Sequence, residues 1–537
     1  MQIETLLYNG KIYTMDTAIP QVEAIAIAGG RVAAIGNNTT ITNLATAETR
    51  RINLGGRTVL PGFIDAHIHF LWYGLSLKQI DLMGVPALEQ ALETVARHAA
   101  QTPPGHWLSG RGWDQSLWPG YAFPTRHDLD RVTTAHPIFL RRKCGHAGWA
   151  NSRALELAGI TAATPDPDGG EIERDPATGA PTGILKENAM NLVARLESKS
   201  TPGEAMDAVR LAMQKVHRMG IVGIHNMEDA VALRAFQELR EQGELTLRVV
   251  QQVPEAELDS AIALGLRSGF GDEWVRIGAV KIFSDGSLGA RSALMIDPYE
   301  GEPQNYGIAM LSNERLKAQV EKAARAGLAV HIHAIGDQAN RNVLNAIEAT
   351  RWAGIGRHLR HRIEHAQVLH PDDVARFAEL NVVASMQPIH ATQDMLLADA
   401  HWGERARLSY AWSSLLSAGA ALAFGSDAPV ETPDVLQGLY AATTRRRAKG
   451  SPGPEGWYPE ECLTLLEAID AYTNGAACSV GMEKVQGSLT PGKVADLVVL
   501  DHDILAAEPA ALLETEVLAT MVGGTVVHGQ GLMGNLD

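Results

Sequence analysis

The feature that most constrains the fold is a rhythm in the middle of the chain. Eight short apolar segments recur there: "GFIDAHIH", "GIVGIHN", "LRVVQQV", "IGAVKIF", "LAVHIH", "HRIEH", "NVVASMQP" and "ALAFGSD". Several are followed by runs with helical spacing, such as "NERLKAQVEKAARAG" and "DDVARFAEL". Short apolar strands alternating with helices call for parallel pairing, with each helix crossing back over the sheet. Eight such units predict an α/β chain whose main body is a parallel (β/α)8 barrel.

The two ends follow a different rule. "TLLYNGKIYTMD" and "AIAIAGGRVAAIG" near the start, and "ADLVVLDHD" and "EVLATMVGGTVVHG" near the end, alternate like short antiparallel strands. Neither end is long enough to bury a sheet alone. The expectation is one small β-domain made from residues 1–58 and 485–537, beside a barrel over residues 59–484. Residues 72–218 break the rhythm between the first and second strands. They hold a strand-like run, "PIFLRR", and a turn-rich loop, "TPDPDGGEIERDPATGAPTG". They read as an insertion over the barrel mouth, where such loops shape substrate sites, or else as a solvated embellishment.

Composition serves mainly to exclude. A net charge of −16 argues against nucleic acid as a partner. No apolar run approaches the ~18–20 residues of a membrane span. The opening "MQIETLLYNGKIYTMD" lacks the basic and apolar regions of a signal peptide. Cys144, Cys462 and Cys478 are far apart, without CxxC spacing, which suits a reducing, cytoplasmic setting. No GxSxG motif and no Cys/His pairing suggests a nucleophilic enzyme.

The chemistry gathers at strand ends. His67 and His69 in "GFIDAHIH" lie two residues apart, so in a strand they face the same way. His331 and His333 repeat that spacing, His365 ends "HRIEH", and Asp427 ends "ALAFGSD". In a barrel these ends converge on one mouth. Imidazole nitrogens and a carboxylate are the ligands that zinc and similar divalent metals prefer. Lys281 is stranger: it stands inside the apolar strand "GAVKIF", where a charge needs compensation. It could snorkel, or pair with Asp285.

At this point the sequence resembles a known family, the amidohydrolase superfamily and within it amidohydrolase family 3, the N-substituted formamide deformylase-like hydrolases. The resemblance runs along essentially the whole chain. It is carried by "PGFIDAHIH", "GRGWD", "GHAGWANS", "PTGILKENA", "VKIFSDGSLGARSA", "HIHAIGDQAN", "RIEHAQ", "SMQPIHAT", "GSDAPVETPD" and "GSLTPGKVADLVVLD", in that order. It implies a barrel with a β-sandwich formed by both termini. It implies a binuclear site, two zinc ions or alternatively manganese, iron or cobalt. His67, His69 and Asp427 would hold the more buried metal, and His333 and His365 the second. Lys281 matches a lysine that carbon dioxide carboxylates so that it bridges both metals. Glu187 in "GILKENA" is a rival bridging carboxylate, or else a residue on the substrate side. His331 reads as a packing histidine; His225, Asn226 and Glu364 fall near the mouth but off the matched ligand set.

The implied reaction is hydrolysis of a C–N amide bond in a small N-acyl or N-formyl amine, with Asp427 moving the proton. Trp113, Asp114, His146, Gln387 and His390 are the expected substrate contacts, with Trp118, Trp149, Asn151 and Asp394 nearby; the tryptophans would serve equally as packing. Deamination by a mononuclear relative is the enzymatic alternative, weakened because "HIHAIGD" lacks a glutamate just after the histidine and Lys281 is present. A non-catalytic metal-binding homologue is the other alternative. Association into a homo-oligomer stays open.

Overall fold

In a computed structural model, describing residues 2–143, 145, 147–167, 170–196 and 201–531, the eight apolar segments are eight strands of one sheet. In chain order they are Phe63–Ile68, Ile221–Asn226, Arg248–Pro254, Val275–Phe283, Ala329–Ala334, Arg362–His365, Val383–Met386 and Leu422–Phe424. Each pairs in parallel with the next. The sheet is nearly closed, as a (β/α)8 barrel requires. Across the remaining seam, Asp427 N–H donates to His67 O (2.7 Å) and His69 N–H to Ala428 O (2.9 Å). Gly425 makes that approach possible: a Cβ there would stand 2.4 Å from His67 N.

The helices between strands form for local reasons. In Asn313–Arg325, Ser312 caps the start by accepting from Arg315 N–H. Leu316, Val320, Ala323 and Ala324 recur at helical spacing and supply the buried face. Pro371 opens Pro371–Glu379 at a position where its missing N–H costs nothing, and His370 caps it.

The chain divides into two compact units, residues 1–70 with 212–537, and residues 71–211. In the first unit the barrel is joined by two further sheets. One orders the strands Arg31–Gly36, Ala24–Ala28, Thr5–Tyr8 and Arg50–Asn53. The other draws on both ends of the chain: Thr525–His528, Val517–Val522 and Leu497–Leu500 lie beside Thr58–Pro61, Lys11–Tyr13 and Gln21–Val22. Leu7, Ile25 and Ile52 of the first sheet share one core with Val59, Leu497 and Met521 of the second. The expected antiparallel pairing is not uniform. Thr5–Tyr8 runs parallel to Arg50–Asn53, and Lys11–Tyr13 parallel to Thr58–Pro61. Both pairs are separated by enough intervening chain to return in the same direction.

The second unit has its own six-stranded sheet, ordered Gly170–Arg174, Pro181–Glu187, Ala147–Ala150, Ile138–Arg142, Leu108–Trp113 and Ile80–Asp81. Trp149 packs edge to face against both Trp113 and Trp118 in its core. Among the described residues, no helix is long and apolar enough to cross a membrane.

Candidate metal centre

The site grows from the ends of barrel strands one, four, five, six and eight. Asp65, His67 and His69 share one face of the first strand by their two-residue spacing. Asp65 is buried and accepts from Ser426 Oγ (2.6 Å), Ser426 N–H (3.0 Å) and His67 N–H (3.1 Å). It therefore ties the first strand to the turn carrying Asp427. Burial pushes its carboxyl up to about 7, against those hydrogen bonds.

Hydrogen bonding fixes which imidazole nitrogens are bare. His67 Nδ1–H donates to Glu364 Oε2 (2.6 Å), leaving Nε2 without a proton, 3.4 Å from Asp427 Oδ1. His69 Nε2 lies 3.3 Å from the same oxygen. His365 Nδ1–H donates to Gln387 Oε1 (2.8 Å), which frees its Nε2. His333 Nε2–H donates to Gly286 O (3.0 Å), so its lone pair is on Nδ1. His333 and His365 rings pack at 4.7 Å, His67 and His365 at 4.9 Å. His67, His365 and Asp427 each offer a ligand atom within 4.8 Å of the others.

The electrostatics match that donor set. Burial, with the charge of Lys281, pushes His67 down to about 4 and His333 down to about 3. His365 is also held well below its usual value by burial. Neutral imidazoles are the ligand form. Burial works to raise Asp427, but a hydrogen bond from His69, whose Nε2 therefore carries the proton here, leads the effects that outweigh it and keep the carboxylate ionised; the bare nitrogens are those of His67, His333 and His365. Bare nitrogens facing an ionised oxygen repel unless a cation stands between them. The donor set therefore fits a divalent metal.

Lys281 completes the picture. It is 4% exposed, and its Nζ has no hydrogen-bond partner among the described residues. The pairing with Asp285 considered from sequence does not form. Asp285 is occupied by the N–H groups of Leu294 (2.9 Å), Ile335 (3.0 Å) and Gly336 (2.9 Å). Nζ lies over the Phe283 ring, 4.8 Å from its centroid, and that ring packs on His333 at 5.2 Å. Burial pushes the Lys281 amine down to about 8, opposed by Glu364 and Asp427.

Two residues that sequence reasoning left aside hold the site in place. Glu364 is fully buried and receives Arg362 Nε (2.8 Å) and Nη2 (2.9 Å). Arg362 is itself buried, donating to Ala66 O (2.6 Å), Ser385 Oγ (2.7 Å) and His225 Nδ1 (2.8 Å). The signal was present in "HRIEH": two opposite charges two residues apart in an apolar strand share one face. Two of the site residues also carry backbone strain. His365 (φ 72°) and Asp427 (φ 58°) adopt left-handed conformations that cost ~1–3 kcal/mol each for side-chain-bearing residues and cluster at functional sites.

The other expected site residues separate. Gln387, expected at the substrate, is buried with its Oε1 accepting from His365. His390 stands in the first turn of Pro388–Trp402, its Nε2 3.9 Å from Asp427 Oδ2. Trp113, Asp114 and Glu187 belong to the second unit. Trp113, expected at the substrate, is fully buried there and donates to Leu140 O (2.7 Å). Asp114 accepts from Arg142 Nη2 (2.8 Å), and Glu187 is exposed at the end of Pro181–Glu187. His146 lies outside the described residues.

Residues 50–528 match the model of the amidohydrolase family. The chain is 34% identical to YtcJ of Bacillus subtilis (strain 168) over 535 residues, covering 98% of this chain and 99% of that protein. It is 30% identical to the N-substituted formamide deformylase of Arthrobacter pascens over 547 residues, covering 97% and 98%. Among solved structures, it resembles an uncharacterized metal-dependent hydrolase from Pyrococcus horikoshii OT3, with a TM-score of 0.79, 30% identity, and coverage of 94% and 99%.

Proposed function

The chain belongs to the amidohydrolase family, and from that premise we propose that it hydrolyses the C–N bond of a small N-acyl or N-formyl amine in the cytoplasm, using two divalent metals. The observation that carries this reading is the group of His67, His365 and Asp427 ligand atoms, with a buried Lys281 whose Nζ has no hydrogen-bond partner among the described residues. Similarity to the N-substituted formamide deformylase supports the choice of bond.

His67, His69 and Asp427 would hold one metal, and His333 and His365 the second, zinc being the first candidate. When bound, such metals lower the pKa of water and polarise a carbonyl oxygen. Lys281 would supply the anion between them. Its amine, already pushed down to about 8, is partly neutral near neutral pH. The Nζ lone pair adds to the carbon of carbon dioxide; an N–C bond forms, one C–O π bond opens onto oxygen, and an N–H proton leaves. That proton passes to solvent, and the product is a carbamate, a buried anion where a neutral amine stood.

Asp427 is the proton carrier. One of its oxygens faces His67 and His69, and the other faces His390. It takes a proton from the attacking water and returns it to the leaving nitrogen. His390 Nε2 is buried without a hydrogen-bond partner among the described residues, so we assign it to hold the substrate beside Asp427.

A hydrolysis screen tests the reading. Zinc-loaded protein is offered N-formyl, N-acetyl and longer N-acyl amines, and the acid and amine released are measured. Turnover of at least one class is expected. Ammonia release from aminated heterocycles, with no amide turnover, would replace this reading with deamination.

A further inference from the structure

His67 and His365 are supported in the same way but by different chemistry. Each donates its Nδ1–H to a buried acceptor, at 2.6 and 2.8 Å. Behind His67 the acceptor is the carboxylate of Glu364; behind His365 it is the neutral amide of Gln387. We propose that this difference makes the two metal positions unequal: Glu364 makes the position served by His67 the tight one, and Gln387 leaves the position served by His365 the exchangeable one. The inference rests on the binuclear reading above.

The physical argument is one of charge and rigidity. A carboxylate accepting from one imidazole nitrogen raises the electron density on the other, which strengthens its bond to a metal. A neutral amide does so far less. Glu364 is also held without freedom. Arg362 grips both its oxygens and is itself fixed by Ala66 O, Ser385 Oγ and His225 Nδ1. Gln387 is looser: its Nε2 is buried with no hydrogen-bond partner among the described residues. At limiting metal the His67 position fills first. The His365 position fills last and empties first, so the ion it carries follows the supply.

The test uses zinc itself on the full chain. Metal-free protein in bicarbonate buffer is titrated against a chromophoric chelator, and two stepwise dissociation constants are read. In the wild type they should differ by about tenfold or more. Glu364→Gln should weaken the tight step by ~10–100-fold, the range for outer-sphere partners of ligating histidines, and leave the weak step unchanged. Gln387→Glu should strengthen the weak step by about tenfold and leave the tight step unchanged. A partner with a merely structural role would move both steps together. Glu364→Gln strands Arg362 beside a neutral group, so circular dichroism precedes its titration; should it not fold, Gln387→Glu carries the test. Two equal constants in the wild type, or a variant that shifts both steps alike, overturn the inference alone. A single zinc equivalent overturns the binuclear reading and the inference with it.

Discussion

Lys281 shows how one residue can decide a site. A buried ammonium with no hydrogen-bond partner is a costly group for a core to hold, even with the Glu364 and Asp427 carboxylates acting on it. The proposed carboxylation of Nζ would remove that cost. Lys281→Ala should therefore lose both bound metal and hydrolysis, with partial recovery of both in short carboxylic acids; metal content equal to wild type would remove its bridging role. His217 offers a separate test, away from the site. It is buried, with its ring nitrogens at Ile221 O (3.0 Å) and Thr246 Oγ1 (2.9 Å). Burial, with a minor push from His528, lowers it to about 4. In the unfolded chain a histidine takes up its proton near pH ~6.5, so the unfolded state gains first as pH falls. The neutral ring thus contributes stability above pH ~6.5 that is lost as pH falls toward about 4, at most about 3 kcal/mol. Denaturant unfolding from pH 7 to 4 should show a shallower loss for His217→Gln than for wild type; parallel curves would contradict it. At this scale the sequence was only half legible. Histidine spacing and the odd lysine stood out. Glu364 and Arg362 did not, because their role is set by partners on other strands.

At the scale of elements, the site is a set of strand ends held in register. Lys281 lies opposite His331, and His331 opposite Arg362, across three adjacent strands. All eight barrel strands were readable in the chain, since buried parallel strands are apolar on both faces and flanked by turn residues. The seam between the first and last strands was not readable. It depends on Gly425, where a Cβ would also meet Asp65 Oδ1 at 2.8 Å. Gly425→Ala should destabilise the protein by ~1–3 kcal/mol through overpacking, and weaken metal binding by displacing His67. Thermal unfolding and metal content measure the two effects. A variant with wild-type values in both would show that the seam does not position the site.

At the scale of the whole molecule, the terminal strands and the barrel within the first unit share a buried ion pair. Arg248 of the third barrel strand meets Asp496, Nε–Oδ2 2.5 Å and Nη2–Oδ1 3.0 Å, and Asp496 also accepts from Gly523 N–H (2.7 Å). Removing one partner of such a pair strands the other, so Asp496→Ala should cost ~3–5 kcal/mol in chemical denaturation. A loss below about 1 kcal/mol, the range of exposed pairs, would deny that link. The pairing of the two chain ends could be inferred because neither end could bury a sheet alone. The parallel pairs within it could not, since strand direction depends on where the chain returns. Nor could the packed tryptophans of the second unit be told from substrate contacts, because an indole serves both. The central claim, a binuclear hydrolase centre bridged by modified Lys281, is tested most directly by metal analysis of protein produced with zinc or manganese. The account predicts close to two metals per chain; one or none would contradict it.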